Sequence, residues 1–446
     1  MKIAIVGAGW AGMAAAVQAT QDGHHATVFE AARAVGGRAR ALNGTMPDGH
    51  SITLDNGQHI LIGAYTDTLA LMRKVGVDPA RTLLRLPLCL QFPDGDGIAL
   101  PDWPSPLDAL AGMATAKGWS WADKGSLLRA SLRWQWGGFR CAAGSSVADL
   151  CHGLTPTVVQ TLIDPLCVSA LNTLAAQASG QVFLTVLRDS LFGTRGSSNL
   201  LLPTTDLGAL FPEAAAAWLQ AHGGAVQLGT RVDRLTYEAG DNGQSGWSVN
   251  GQHFDAVLWA TSSSNAASAL IETAQAAPET IANSLRAWAE TAQALRFEAI
   301  ATVYTYAPSA HLPQPMLALR NTAEHPAQFV FDRAQLGGPR GVLAWVVSAS
   351  QGDRAELEAG VLAQAQAQLG ALLSEPPSVL QTVIEKRATF ACTPGLQRPT
   401  AAIAPGLWAC GDFVEGPYPA TLEGAVRSGL AAARALAMPA RSAAPL

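Results

Sequence analysis

The sequence predicts an α/β fold in which a Rossmann-type nucleotide-binding domain carries a second, discontinuous α+β domain. Two observations support this. The chain opens on an apolar run, Lys2 to Val6, that enters Gly7-Ala8-Gly9-Trp10-Ala11-Gly12 and then an Ala-rich stretch. A second glycine-containing segment, Gly411-Asp412 to Gly429, stands near the other end of the 446 residues, so a single site has to be assembled from both ends of the chain.

Each opening residue type answers a physical need. Gly7 lets the chain turn sharply off the strand, Gly9 has no side chain to hold a pyrophosphate away from the backbone, and Gly12 permits close packing of helix on sheet. The stretch Ala11 to Ala19 supplies a helix whose N-terminal amides and partial positive charge face the phosphates. A second strand, Ala26 to Phe29, ends at Glu30, about 20 residues past the glycines, where a carboxylate accepts from ribose hydroxyls. Gly36-Gly37-Arg38 adds a further close backbone approach followed by a guanidinium. This order of strand, turn, helix, strand and acid predicts a bound dinucleotide, and the Gly-Gly-Arg favours FAD over a nicotinamide nucleotide.

The middle and end of the chain extend the same domain. Ala225 to Leu228, Arg231 to Leu235, Trp247 to Val249 and Phe254 to Ala260 alternate as strands, with a polar turn at Gly240, Asp241, Asn242 and Gly243. Leu407 to Cys410 reads as a short buried strand ending at Gly411-Asp412, and a helix opens near Gly424 and Ala425. Gly411 allows close backbone approach, Asp412 is placed to accept from a ribityl chain, and the helix start aims amides where negative charge collects on a reduced flavin. The expected FAD-binding domain therefore comprises residues 1–65, 200–270 and 390–446. Residues 66–199 and 271–389 form the substrate domain, with strands at Ala299 to Tyr304 and Gly341 to Ser348.

Composition narrows the function classes. A net charge of −5 offers no broad basic surface for nucleic acid. With 14% charged residues, 49% hydrophobic residues and a mean hydropathy of +0.17, the chain is apolar for its class, which suits a lipid substrate or membrane contact. No apolar run is long enough to span a bilayer, and the first strand leaves no room for a signal peptide. A cytoplasmic protein, or one peripheral on the cytoplasmic membrane face, is expected. Cys89, Cys141, Cys151, Cys167, Cys392 and Cys410 show no CxxC pair and read as reduced, mostly core thiols, with Cys392 and Cys410 near the nucleotide motifs. Between Lys117 and Arg140, four tryptophans and five cations interleave with leucines. Two readings stand for that stretch: a helix lying in a bilayer interface, or an amphipathic helix covering the substrate cavity.

Asp55-Asn56-Gly57-Gln58-His59 entering the apolar Ile60 to Tyr65 is the least generic motif. His59 is the candidate proton donor, with Asp55 either orienting it or serving as a cap.

These residues, together with Lys386 to Pro399 and Gly411 to Gly429, resemble the flavin-containing amine oxidase and phytoene desaturase superfamily, and within it the hydroxysqualene dehydroxylases. The resemblance runs nearly end to end. It implies reduction of hydroxysqualene by reduced FAD to squalene and water, in bacterial squalene and hopanoid synthesis. It also implies that Gly7, Gly9, Gly12, Glu30, Arg38, Val232 and Asp412 bind FAD, with Arg38 on the pyrophosphate, Val232 at the adenine and the Ala425 backbone near the flavin ring. Amine oxidases of this type carry a cage tyrosine two residues before the terminal Glu-Gly-Ala; Thr421 stands there instead, and Tyr418 is displaced between prolines. The rival readings are a carotenoid or polyprenoid desaturase, an amine oxidase, and a prenyl-lipid carrier without flavin.

Overall fold

A six-stranded sheet organises the nucleotide-binding half of the computed structural model, which describes residues 1–239 and 245–436. Its order is Ala225–Leu228, His25–Glu30, Lys2–Val6, Ala256–Trp259, Leu407–Ala409 and Ala402–Ala404. All neighbours are parallel except the last pair, which is antiparallel. Lys2 pairs with His25 and Val6 with Phe29 on one side, and Val6 with Trp259 on the other. The five parallel strands thus end on one edge, and ligands of open parallel sheets bind at the carboxyl ends of their strands.

The helix Trp10–Gln21 follows the glycine turn and is buried on all sides from Trp10 to Ala19. Its small residues explain how: it is wedged between the sheet and the last helix, Leu422–Leu436. A Cβ on Gly429 of that last helix would stand 2.2 Å from the Ala11 carbonyl oxygen, so the two backbones nearly touch.

The second half is built on a five-stranded antiparallel sheet ordered Met316–Ala318, Phe329–Asp332, Val342–Ser348, Phe297–Tyr306 and Ser378–Phe390. Side chains alternate across it as a strand period of two requires. Val330, Leu343, Trp345 and Val347 pack under the helix Arg354–Leu369, whereas Phe329, Phe331, Ala344 and Val346 join the larger core on the opposite face. Helices Asp164–Leu171 and Gly180–Leu191 contribute to that same core.

One expected strand is absent. Arg231 to Arg234 runs irregularly, and the strand begins only at Leu235 (Leu235–Glu238). The Asn250 side chain explains this: its Oδ1 accepts from the Asp233 and Arg234 amides at 3.0 and 3.1 Å, and its Nδ2 donates to the Arg231 carbonyl at 2.8 Å. Those backbone groups are satisfied without a ladder partner. The turn expected at residues 240–243 lies outside the described residues. The other named strands and helices form within a few residues of expectation; the last helix starts at Leu422, where Thr421 Oγ1 accepts from the Gly424 amide at 2.9 Å.

Candidate active site

A cavity of about 1540 Å³ runs along the strand ends and between the two halves of the molecule. Single small-molecule sites occupy about 300–1,000 Å³, so this volume leaves room for a dinucleotide and a second molecule. Its lining includes Gly7, Gly9, Glu30, Gly37, Arg38, His59, Val232, Gly411, Asp412 and Ala425. Of the sequence-predicted site residues, Gly12 and Asp55 alone lie off the lining.

The three glycines of the opening turn have different surroundings. Gly7 holds φ at +111°, and an added Cβ would press on the Ala260 carbonyl oxygen at 2.8 Å. A Cβ on Gly12 would sit 2.0 Å from the Gly7 carbonyl oxygen, inside the helix-to-strand contact. Gly9 has ordinary backbone angles, φ −73° and ψ 179°, and a Cβ there would meet nothing within 4 Å because it would project into the cavity. That open volume above Gly9 is the cradle a pyrophosphate requires. The helix it caps has neither a side-chain cap nor an acidic residue in its first turn, which leaves its amide end suited to an anion.

Around this turn the acidic and basic residues are already positioned. Glu30 accepts from the amides of Ala8 and Ala32, each at 2.8 Å, which fixes its carboxylate at the sheet edge. Arg38 lies against the cavity, but its guanidinium faces the protein: one Nη donates to the Ala388 carbonyl at 2.6 Å and the other pairs with Asp412 Oδ1 at 2.5 Å. Asp412 thereby raises the Arg38 pKa above its ordinary value. The two chain ends are locked together by this ion pair across 374 positions. Gly411 is held in place by Ser428, whose Oγ accepts from the Gly411 amide and donates to the Ala425 carbonyl, both at 2.8 Å. The Ser428 hydroxyl lies within the quoted terminal motif, yet nothing in the sequence singles it out.

The Asp55 to His59 motif corrects two expectations. Asp55 does not orient His59. It is 1% exposed and turned beneath the motif: its Oδ1 accepts from the Leu207 amide at 2.9 Å and its Oδ2 pairs with Arg333 at 3.6 Å. Tyr304 Oη donates to its carbonyl oxygen at 2.9 Å. Asp55 thus satisfies the first amide of the short helix Leu207–Leu210, whose N-cap is Asp206. Burial raises its pKa to about 6. Asn56 and Gln58 line the cavity but are also tied to the scaffold, Asn56 donating to the Arg38 carbonyl at 3.0 Å and Gln58 accepting from Arg333 at 2.9 Å. His59, unlike Asp55, lines the cavity, and burial followed by the Arg38 charge lowers its pKa to about 4. A neutral imidazole at pH 7 hydrogen-bonds but stores no proton, so the expected acid role of His59 is not supported in the free protein.

Away from the motif the cavity is walled by Leu166, Phe183, Leu187, Phe329, Phe331 and Val346, supplied by the two helices and by one face of the five-stranded sheet. Tyr418 interrupts this apolar wall. Its hydroxyl donates to Asp189 Oδ2 at 2.8 Å, and the Arg427 guanidinium lies 4.7 Å from its ring centre. Asp189 carries no local motif, so sequence reasoning missed this pair. Cys392 and Cys410 are buried and lie off the lining, with burial raising both thiols to about 12.

A family model described as flavin containing amine oxidoreductase matches residues 10–437. The chain belongs to the flavin containing amine oxidoreductase family. Like the family, it is an FAD-dependent oxidoreductase, and the Gly9 cradle, the open helix end and Glu30 fit FAD. Curated relatives spanning the whole chain include the hydroxysqualene dehydroxylases of Sinorhizobium fredii, 25% identical over 97% of this chain and 97% of that protein, and of Rhodopseudomonas palustris, 27% identical over 96% of each. A zeta-carotene desaturase of Synechocystis is 41% identical over 86 residues, covering 19% of this chain and 16% of that protein. Among solved structures, an oxidoreductase of Methanosarcina mazei superposes with a TM-score of 0.70 at 16% identity over 97% of this chain and 99% of that one. Cyclohexylamine oxidase of Brevibacterium oxydans does so with 0.66 at 15% identity over 98% of each. These likenesses show that the family's fold is shared.

Proposed function

We propose that this flavin oxidoreductase reduces hydroxysqualene to squalene, releasing water. The observation that carries the reading is the continuity of the cavity. The residues of the glycine turn and the apolar residues Leu166, Phe183, Leu187, Phe329, Phe331 and Val346 line one cavity, and His59 lines it with them. A long hydrocarbon with one hydroxyl needs such an apolar space with few polar groups at one end. The full-length relatives support the same choice, whereas the desaturase likeness covers a fifth of the chain.

When bound as FADH2, the flavin would supply both the hydride that replaces the allylic hydroxyl and the proton with which that hydroxyl leaves as water. The chain's own residues do the rest. Gly7, Gly9 and the amide end of the first helix receive the pyrophosphate, and Glu30 receives a ribose. Arg38 and Asp412 clamp the two halves of the nucleotide site, and Val232 and Ala425 border its ends. His59, neutral at pH 7, holds the substrate hydroxyl by a hydrogen bond and so positions the carbon that bears it. The apolar wall excludes water from the carbocation-like centre formed as the hydroxyl leaves. Amine chemistry is disfavoured, because Thr421, which caps the last helix, stands at the position of the cage tyrosine, and the Tyr418 hydroxyl is tied to Asp189.

Anaerobic mixing tests the direction of electron flow. Reduced holoenzyme should regain its oxidised flavin spectrum on addition of hydroxysqualene. Bleaching of oxidised enzyme by a polyene, with no response of reduced enzyme to hydroxysqualene, would assign the site to a desaturase.

A further inference from the structure

We infer that helix Trp121–Trp136, with the neighbouring helix Leu107–Thr115, forms a docking surface for the headgroup region of an anionic lipid bilayer. The first of these helices has two apolar faces. Its inner face, Leu127, Ala130 and Trp134, is buried in the core of the substrate half. Its outer face carries Trp121, Gly125, Leu128, Leu132 and Trp136, at intervals of four, three, four and four residues, which places all five on one stripe. Trp121 and Trp136 are 84% and 85% exposed, and Leu128 and Leu132 are exposed between them. A one-sided core helix has no use for a second apolar stripe, and none of these residues lines the cavity.

The neighbouring helix extends the surface. Leu107 and Leu110 are exposed on it, Trp103 is exposed just before it, and Lys124 Nζ donates to the carbonyl of Ala114 at 2.7 Å, tying the two helices together. The charges around the stripe identify what it faces. Residues 117–140 hold five cations and one acid in a chain whose net charge is −5, and that acid, Asp123, is turned inward to cap its own helix through Ser120. Lys124 lies 5.3 Å from the Trp121 ring centre, and Arg129 packs beside Gly125, so cations flank both edges of the stripe.

Tryptophans at the two ends of a helix about 22 Å long, leucines between them and cations at the edges are the arrangement of a helix lying flat at headgroup depth. A second copy of the chain would bring like charges together. The position suits a lipid substrate: Ser105 Oγ, at the start of this surface, donates at 3.0 Å to the carbonyl of Leu191, a cavity residue. The inference stands whichever polyprenoid the site accepts.

The test is flotation of the FAD-loaded protein with vesicles of phosphatidylcholine alone or with one third phosphatidylglycerol. Wild type should float with the anionic vesicles, weakly with the neutral ones, and less as salt is raised. A Trp121→Ser, Trp136→Ser double variant should partition at least tenfold less. A Lys117→Glu, Arg129→Glu variant should lose at least about twentyfold on anionic vesicles, at about fivefold per cation removed. All should retain the flavin spectrum and melting temperature of wild type, since the altered side chains are exposed. Wild type left unbound by both vesicle types would overturn the proposal. So would unchanged flotation of the tryptophan variant, or a sedimenting dimer of wild type that the same variant dissociates while vesicles remain unbound.

Discussion

Replacing Gly9 by alanine separates cofactor binding from folding. At φ −73° and ψ 179° an alanine adopts the same backbone, and its methyl group meets nothing within 4 Å. Loss of a flexible glycine from the unfolded chain stabilises by about 0.4–1 kcal/mol, while alanine is the poorer N-cap by a similar amount, about 0.5–1 kcal/mol. The apoprotein should therefore keep its stability to within about 1 kcal/mol. The methyl group instead occupies the cradle over the first helix. Displacing one charge-assisted hydrogen bond costs about 1.5–3 kcal/mol, so the FAD dissociation constant should rise by roughly 10- to 150-fold. Gly12→Ala is the contrasting change: its Cβ would lie 2.0 Å from a backbone carbonyl oxygen that cannot yield, and overpacking of this kind costs about 1–3 kcal/mol or more. Urea unfolding of both apoproteins, with FAD titration followed by flavin fluorescence, makes the comparison. Wild-type FAD affinity in Gly9→Ala, or equal destabilisation of the two apoproteins, would refute the reasoning.

Other outcomes follow from the motif at residues 55–59. Asp55→Ala leaves the buried Arg333 without its ion pair and the Leu207 amide without its acceptor, so it should destabilise by about 3–5 kcal/mol in urea unfolding. A catalytic Asp55 would instead show lost turnover at wild-type stability. The His59 pKa is about 4 in the folded chain against 6.5 for an ordinary histidine. Between those values the unfolded chain binds more protons, so this contribution falls as pH drops from 6.5 towards 4. Asp55, raised to about 6 from 3.8, works in the opposite sense, and comparing wild-type and His59→Asn apoproteins isolates the histidine. The stability difference should shift against wild type on acidification, and a shift in its favour would contradict a buried neutral imidazole. Tyr418→Phe removes the hydrogen bond to Asp189 but keeps the ring beneath Arg427. It should leave FAD affinity within about threefold, since the ring and its contact with Arg427 are kept, and equilibrium flavin titration checks this.

The legible parts of the fold were those where backbone geometry restricts residue choice. Gly7 at positive φ and Gly12 against a carbonyl tolerate little else, so strand, turn and helix could be read directly, while Gly9 is restricted by the cradle above it and not by its backbone. The convergence of both chain ends was legible for the same reason, since Gly411 and the opening glycines follow strands of one sheet that are separated only by Ala256–Trp259. What could not be read were side-chain choices made across long separations. Arg38 and Asp412 were each expected to face the cofactor, and their pairing joins positions that only the folded chain brings together. Asn250 turned an expected strand into an irregular segment by taking its amides from 17 positions away. Asp55 and His59 lie four residues apart, but the chain turns between them, so one points under the site and the other into it. Neighbouring positions in a polar motif suggested a catalytic pair, where the structure shows a scaffold contact beside a cavity residue.

A single-turnover experiment under anaerobic conditions tests the central claim most directly: stoichiometrically reduced holoenzyme mixed with hydroxysqualene, quenched and extracted for lipid. The account predicts one squalene formed per flavin reoxidised, with no other lipid product. Flavin that stays reduced while hydroxysqualene is recovered intact would contradict it.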